Sequence, residues 1–276
     1  MISFPNAKIN LGLNVVAKRK DGYHDLETIF VPIDLKDVLE IIPHPQKNAK
    51  LEFTSSGLNI IGDINENLCI RAYQLLKKDF DLPAIKMHLH KAIPMGAGLG
   101  GGSADGAFAL KMLNEIFELK LSKKKLLNYA LTLGSDCPFF IINKPCFATS
   151  RGEKLEPIQI DTSKYDFVLI NPNVHISTAK AFSKINPHTP IKSLKEIIQQ
   201  PINTWRKELL NDFEKSLSND FFVVEHIKNL INHHNALYSS MTGTGSTVYG
   251  LFESNTQKPK FNFPDDYMVK WTKLID

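Results

Sequence analysis

The chain has 276 residues, a net charge of +4, 43% hydrophobic and 22% charged residues, which is ordinary for a globular protein and does not indicate a nucleic-acid partner. No run of about 18 apolar residues is present, so no membrane-spanning segment is predicted. Three cysteines without CxxC spacing favour neither a zinc site nor a redox pair. We therefore expect a cytoplasmic protein without nucleic-acid or membrane partners.

The first half of the chain predicts several strands and a few helices. Alternation of apolar residues predicts strands over residues 9–15 and 85–90, and shorter apolar runs predict strands at 37–42 and 50–54. Asn65 is predicted to cap a helix that contains Leu68 to Leu76. A second helix is predicted from Ala104 to Phe117, with Phe108, Met112 and Ile116 on one side.

The second half predicts more helix. Ser122 begins a helix that ends near Gly134, and residues 146–158 predict a hairpin that turns at Arg151-Gly152. Strands are expected at 165–170 and 247–252, with a mostly helical stretch from 178 to about 230 between them. This order predicts an α+β chain of two lobes, residues 1–160 and 161–276. The segment 255–264 shows little periodicity, so an irregular C-terminal region is expected.

A glycine run joins the predicted strand at 85–90 to the helix that follows it. Five of the seven residues from 96 to 102 are glycine, which is more than a tight turn needs. Such a loop exposes backbone N–H groups, and a following helix N-terminus favours an anion, so the run predicts a phosphate site. Ser103 stands where the helix is expected to begin, where it could cap the helix or contact a phosphate or a metal.

The identity of the phosphate ligand stays open at this level. Gly96, Gly98 and Gly101 satisfy G-x-G-x-x-G, and Glu118 lies beyond them, so a dinucleotide-dependent oxidoreductase is one alternative. The run does not follow a first strand, however, and Gly102 occupies the lysine position of a Walker loop. A module that binds a nucleotide without turnover is the third alternative.

Three segments resemble the motifs of the GHMP kinases, in order along nearly the whole chain. They are Lys8-Ile9-Asn10-Leu11, then Pro94 to Ser103, then Thr242-Gly243-Thr244-Gly245-Ser246. The resemblance implies a GHMP kinase fold, with an N-terminal lobe like domain 2 of ribosomal protein S5, which binds ATP, and a ferredoxin-like C-terminal lobe. It also implies a small-molecule kinase that uses ATP and Mg²⁺.

Two further segments are similar to one branch of these kinases. Asp21-Gly22-Tyr23-His24 and Leu133 to Phe140 match the branch that acts in the non-mevalonate route to isoprenoid precursors. The implied substrate is 4-diphosphocytidyl-2-C-methyl-D-erythritol, a small molecule that ATP phosphorylates at the 2-hydroxyl group.

The resemblance assigns catalysis to Lys8 and Asp136. Asp136 would orient the substrate hydroxyl and accept its proton, and Lys8 would keep that carboxylate ionised and offset charge on the phosphate. Residue type alone would make Lys8 a solvated strand residue and Asp136 a turn residue, and the family match favours catalysis.

The remaining implied contacts divide between substrate and ATP. The substrate would be held by Tyr23 and Phe182 through stacking, by His24 at the pyrimidine edge, and by Asn10, Thr242 and Gly243. ATP would be held by Pro94, Met95, Gly96, Ala97, Gly98, Leu99, Gly100, Gly101, Gly102, Ser103 and Ala104, with Asn65 and Asn67 near the adenine. No glutamate is identified as a metal ligand, so Mg²⁺ is expected to arrive with ATP, near Ser103. His88 and His90 share a strand face, which favours a solvated surface over a metal site.

Overall fold

The computed structural model describes residues 1–46, 49–217 and 222–275. Within these ranges the chain has an α+β composition, as predicted, with twelve strands and nine α-helices. The strands are β1 (Ile2–Ser3), β2 (Asn6–Lys18), β3 (His24–Lys36), β4 (Val38–Pro43), β5 (Glu52–Gly57), β6 (Ile85–Lys91), β7 (Cys146–Ser150), β8 (Lys154–Pro157), β9 (Tyr165–Asn171), β10 (Tyr238–Met241), β11 (Val248–Glu253) and β12 (Met268–Thr272).

The helices fall into two groups along the chain. The first four follow the early strands, and the others belong to the predicted helical stretch, of which residues 218–221 lie outside the described residues. The helices are α1 (Leu68–Asp79), α2 (Gly101–Ile116), α3 (Lys123–Leu133), α4 (Cys137–Ile142), α5 (Thr178–Ser183), α6 (Leu194–Ile197), α7 (Ile202–Glu208), α8 (Asp212–Leu217) and α9 (Phe222–His233). No helix of the described ranges is long and apolar enough to cross a membrane.

The chain divides into two compact units whose segments alternate along the sequence. The first unit comprises residues 1–7, 35–95 and 100–143, and the second comprises 8–34, 96–99 and 144–276. A single boundary near residue 160 therefore does not describe this division. The assignment of residues 1–160 and 161–276 to two functional lobes stays a prediction.

The first unit contains a sheet in the order β1-β4-β6-β5, in which β5 is parallel to β6 and the other pairs are antiparallel. Side chains of β6 alternate strictly, so that Ile85, Met87 and Leu89 are buried while His90 is exposed. The same alternation places Lys91 on the buried face. Helices α1 to α4 supply further core side chains, among them Phe139 and Phe140.

The second unit contains two sheets, in the orders β2-β3-β7-β8 and β10-β11-β9-β12. The latter is antiparallel throughout, and residues of α9 such as Ile227 and Ile231 belong to its buried core. Residues 254–267, between β11 and β12, form neither helix nor strand, which confirms the expected irregular C-terminal region. Aromatic contacts hold this segment, since the ring of Phe261 stacks on Phe263 and lies tilted against Trp271.

Candidate active site

The glycine run is a left-handed turn that passes directly into α2. Gly96, Gly98 and Gly100 have φ angles of 62°, 77° and 70°, which only glycine adopts easily. Helix α2 begins at Gly101 with Gly100 as its N-cap residue, so the predicted loop is two glycines shorter than expected. Of the alternatives left open for Ser103, capping is excluded, because Ser103 already lies inside the first turn.

Several of these glycines are also required by close packing. A Cβ atom on Gly98 would lie 2.0 Å from the Thr242 carbonyl oxygen, and one on Gly101 would lie 2.8 Å from Ile93 Cγ2. A Cβ atom on Gly102 would meet nothing within 4 Å, and this residue is exposed. Internal packing therefore does not explain Gly102, and its missing side chain leaves the backbone open to a ligand.

The other residues predicted to bind ATP along the glycine run offer their backbone groups more than their side chains to a ligand. Ala97, Leu99 and Ala104 are buried, and Met95 is exposed. The Leu99 carbonyl accepts a hydrogen bond of 2.9 Å from Lys8 N, and the Gly100 carbonyl accepts one of 2.9 Å from Ala104 N. These bonds fix the backbone path whose N–H groups are the predicted phosphate donors.

A cavity of about 270 Å³ opens in the first unit beside the glycine run. Ile60, Ile61 and Leu68 give it an apolar wall, and its polar lining includes Asn67, Lys91, Gly102 and Asp105. A mostly apolar pocket with a few polar groups is the usual form of a small-molecule site. Met95, Asn67 and Gly102, three of the residues predicted to bind ATP, all line it.

The two asparagines predicted near the adenine have different roles. Asn67 is the N-cap of α1, where its side chain accepts a hydrogen bond of 2.9 Å from Cys69 N. Asn65 lies in a short 3₁₀ helix, Ile64–Glu66, which Asp63 caps, so the prediction that Asn65 caps the longer helix is wrong. Asn65 is exposed and does not line the cavity.

Asp136 lies in the short connection between α3 and α4. Helix α3 runs from its N-cap Ser122 to Gly134, as predicted, and Asp136 occupies the N-cap position of α4. Its side chain makes no capping hydrogen bond and is half-buried. The turn therefore does not use this carboxylate for capping, which is compatible with a functional role.

In the second unit, Lys8, Asn10, Thr28 and Thr242 form a buried network, called the amide cluster below. Lys8 Nζ donates to Asn10 Oδ1 at 2.7 Å and to the Gly98 carbonyl at 2.9 Å. Asn10 Nδ2 donates to Thr28 Oγ1 at 2.8 Å, and Thr28 Oγ1 donates to the Gly12 carbonyl at 2.6 Å. Lys8 is 3% exposed, so it is not the solvated strand residue that its type alone suggests.

Thr242 and Asn10 hold other protein groups in this network. Thr242 Oγ1 lies 3.0 Å from the Gly98 carbonyl, accepts from Asn10 N at 3.0 Å, and is fully buried. Asn10 is 2% exposed. Their described bonds orient Lys8 and the glycine run, whereas direct contact of either side chain with substrate stays a prediction. Gly243, with φ 55°, forms the turn that follows Thr242.

Tyr23, His24 and Phe182 present aromatic surface in the second unit. Tyr23 is 53% exposed, and the Arg151 guanidinium lies 4.6 Å from its ring centroid. The rings of His24 and Phe182 stack at 4.9 Å with an interplanar angle of 21°. Phe182 also packs edge-on against Phe213, so it contacts the core as well as His24. Burial, and then the charge of Lys18, lowers the pKa of His24, which favours the neutral ring as a hydrogen-bond partner.

A buried group of three charged residues in the first unit was missed by sequence reasoning. Asp37, Lys91 and Asp105, called the ionic cluster below, pair with each other through the Lys91 ammonium group. The signal was present, because Lys91 is in phase with the apolar residues of β6. Asp105 likewise lies on the side of α2 that carries Phe108 and Met112.

The described residues contain no cluster of three or more histidine, cysteine or acidic side chains that could hold a metal. His88 and His90 both hydrogen-bond Ser56 Oγ, at 2.9 Å each, on a partly exposed sheet face. This arrangement agrees with the predicted surface role.

Known kinases are similar to this chain in sequence and in fold. Residues 67–144 match the model of the GHMP kinases N terminal domain. The chain is 50% identical over 263 residues to the 4-diphosphocytidyl-2-C-methyl-D-erythritol kinase of Bacteroides fragilis, which covers 95% of this chain and 96% of that one. It is 40% identical to the enzyme of the same name from Porphyromonas gingivalis, over the full length of both chains.

Solved structures agree with the sequence relatives. A crystal structure of 4-(cytidine 5'-diphospho)-2C-methyl-D-erythritol kinase superposes with a TM-score of 0.77 at 29% identity, covering 91% of this chain and 90% of that one. Mevalonate kinase from Methanococcus jannaschii, at 14% identity, shares the fold with a TM-score of 0.70, covering 100% of this chain and 98% of that one. The chain therefore belongs to the GHMP kinases, in the 4-diphosphocytidyl-2-C-methyl-D-erythritol kinase family.

Proposed function

We propose that this chain transfers the γ-phosphoryl group of ATP to the 2-hydroxyl group of 4-diphosphocytidyl-2-C-methyl-D-erythritol, a step of the non-mevalonate route to isoprenoid precursors. The observation that carries this proposal is identity of 40–50% to kinases of that name over nearly the whole chain. The aromatic groups of Tyr23, His24 and Phe182 support a pyrimidine-bearing substrate, because a base can stack on such rings.

We assign the ATP phosphates to the N–H groups of the glycine run and the first turn of α2. Exposed Gly102 and its open backbone support this assignment. The base would occupy the cavity lined by Asn67 and Met95, which is large enough for part of a nucleotide. Mg²⁺ would enter as Mg-ATP, with Ser103 as the nearest candidate protein ligand.

The chemical step needs positioning and charge stabilisation more than covalent catalysis. Asp136 accepts the proton of the 2-hydroxyl group as its oxygen bonds to the γ-phosphorus. The bond between that phosphorus and the β,γ-bridging oxygen breaks at the same time, and ADP leaves. The Lys8 ammonium, held by Asn10 and the Gly98 carbonyl, offsets the charge that develops on the phosphoryl oxygens. We propose that the reaction takes place in the cytoplasm.

The test is turnover of 4-diphosphocytidyl-2-C-methyl-D-erythritol with Mg-ATP. ADP release is followed by coupled assay, and the product by phosphorus NMR. We expect one ADP per new phosphomonoester at the 2-position, and a kcat about 10² to 10⁴ lower for Asp136→Ala.

Two controls separate the outcomes of this assay. Homoserine and mevalonate, offered as acceptors, should not be phosphorylated at a comparable rate. A folded chain that binds Mg-ATP but does not phosphorylate the cytidyl substrate, homoserine or mevalonate would overturn the proposal.

A further inference from the structure

The ionic cluster is buried but takes no part in the chemistry proposed above. The side chains of Asp37, Lys91 and Asp105 are 0%, 2% and 4% exposed. Removing three charges from water is costly, and apolar replacements of a buried ion group are often neutral or stabilising. Stability alone therefore does not explain why the chain keeps this cluster.

Asp37 holds the chain that leads into the glycine run. Its Oδ1 atom accepts hydrogen bonds from Ala92 N at 2.6 Å and from Ile93 N at 2.9 Å. These two residues lie between β6 and Pro94. The other oxygen, Oδ2, accepts from Lys91 Nζ. One carboxylate thus fixes both the end of β6 and the first residues of the following segment.

Asp105 holds the chain that leaves the glycine run. It lies one turn after the start of α2, and its Oδ2 atom accepts from Lys91 Nζ at 2.8 Å. A Cβ atom on Gly101 would lie 3.2 Å from the same Nζ atom, so the ammonium also lies close beside the first residue of the helix. The lysine therefore joins the segment before the run to the helix after it.

We propose that the ionic cluster is a clamp across the two flanks of the glycine run, and that Asp37, Lys91 and Asp105 are positioning residues for the nucleotide phosphates. The inference rests on ATP as the donor in the proposed function. A loop whose ends are fixed loses less freedom when it binds its ligand, so its donors are arranged before the nucleotide arrives.

Two observations support a link to the nucleotide rather than to folding alone. Lys91 and Asp105 both line the 270 Å³ cavity, together with Gly102 of the run. Asp105 Oδ1 is buried without a hydrogen-bond partner among the described residues, which is an arrangement that selection for stability disfavours.

The test measures Mg-ADP binding by isothermal titration calorimetry on wild type and three variants. Asp105→Val removes the acceptor for Lys91 at similar volume, and Asp105→Asn keeps an oxygen that can accept. Leu113→Ala is the matched control, because Leu113 is fully buried on the same helix, two turns farther along.

We expect Asp105→Val to raise the Kd of Mg-ADP about ten- to hundredfold, because a small misplacement of positioning groups has effects of that size. Asp105→Asn should stay within about threefold of wild type, and Leu113→Ala should bind normally although it unfolds more easily. In steady-state assays, KM for ATP should rise while KM for the cytidyl substrate does not. If Asp105→Val does not fold, Asp105→Ala replaces it.

Normal Mg-ADP binding by folded Asp105→Val, or equal weakening in Leu113→Ala, would overturn the clamp and leave the proposed function intact. A folded wild-type chain that binds no Mg-ADP would overturn both.

Discussion

The amide cluster and the ionic cluster each bury a lysine, and the hydrogen bonds described for the two lysines join different parts of the chain. Lys8 donates to an amide oxygen and a peptide carbonyl, whereas Lys91 donates to two carboxylates. A neutral acceptor orients an ammonium group through a dipole, while a carboxylate also balances its charge. The contacts of Lys91 tie two backbone segments together through Asp37 and Asp105, whereas the described contacts of Lys8 hold its ammonium group at the glycine run, where phosphoryl transfer is proposed.

The largest expected effect is on turnover, from Lys8→Ala. We expect kcat to fall by about 10² to 10⁴, because the ammonium that offsets charge during transfer is lost. The measurement is kcat with Mg-ATP and the cytidyl substrate, with circular dichroism to show that the variant is folded. Lys78→Ala, on an exposed position of α1, is the matched control. Near-normal turnover by folded Lys8→Ala would show that the Lys8 ammonium group does not take part in phosphoryl transfer.

The largest expected loss of stability comes from Lys91→Met. Two buried carboxylates would then lack their shared cation, so we expect the free energy of unfolding to fall by about 3–5 kcal/mol. Urea unfolding followed by fluorescence measures this change. Lys78→Met should change it by about 0.5 kcal/mol or less. If Lys91→Met is as stable as the control, the ion pairs of Lys91 contribute little to the free energy of unfolding.

A smaller loss is expected from Thr28→Val in the amide cluster. The change leaves Asn10 Nδ2 and the Gly12 carbonyl without the hydroxyl partner described above, which should lower the free energy of unfolding by about 1–3 kcal/mol. Because Asn10 orients Lys8, kcat should fall as well. Thr54→Val, at an exposed position of β5, serves as control and should leave both quantities close to wild type. A loss of stability with unchanged kcat would show that the orientation of Lys8 does not depend on the hydrogen bond between Asn10 and Thr28.

The smallest expected effect is a pH dependence that the ionic cluster alone should show. Burial raises the pKa of Asp105 to about 7, against the opposing charge of Lys91. The ordinary value is about 3.9, so between these values the folded chain binds more protons than the unfolded chain. The contribution of Asp105 to stability is therefore complete below pH 4 and is lost as the pH rises through 7. The free energy of unfolding of wild type, minus that of Asp105→Asn, should be larger at pH 5 than at pH 8. An equal difference at both values would contradict the raised pKa.

Local signals predicted much of the fold because neighbours along the chain decide them. Ser122 and Gly134 bound α3 as expected, since a serine cap and a terminal glycine act within one turn. The start of α2 was predicted three residues late, because Gly101 and Gly102 are poor helix formers by propensity. Packing of Gly101 against Ile93 outweighs that propensity in the folded chain.

The sequence predicted residues of the candidate site only where they belong to a motif of a known family. Lys8 and Asp136 were found through family resemblance, not through any property of an isolated lysine or aspartate. The ionic cluster joins residues 54 and 14 positions apart, and no local pattern reports such a pairing. Its members could have been suspected because a charge at a core-facing position of β6 needs a buried partner.

The burial of the three cysteines has a practical consequence for labelling. Cys69, Cys137 and Cys146 are fully buried, and burial raises the pKa of the Cys137 thiol to about 12 and that of Cys69 well above its ordinary value. Thiols in that state react slowly with maleimides. A cysteine introduced at exposed Lys20, three residues before Tyr23, would therefore accept a fluorophore while the native cysteines react little. A fluorophore at that position would report on the surroundings of Tyr23 without interference from the native cysteines, and so would test the proposed substrate contact of Tyr23.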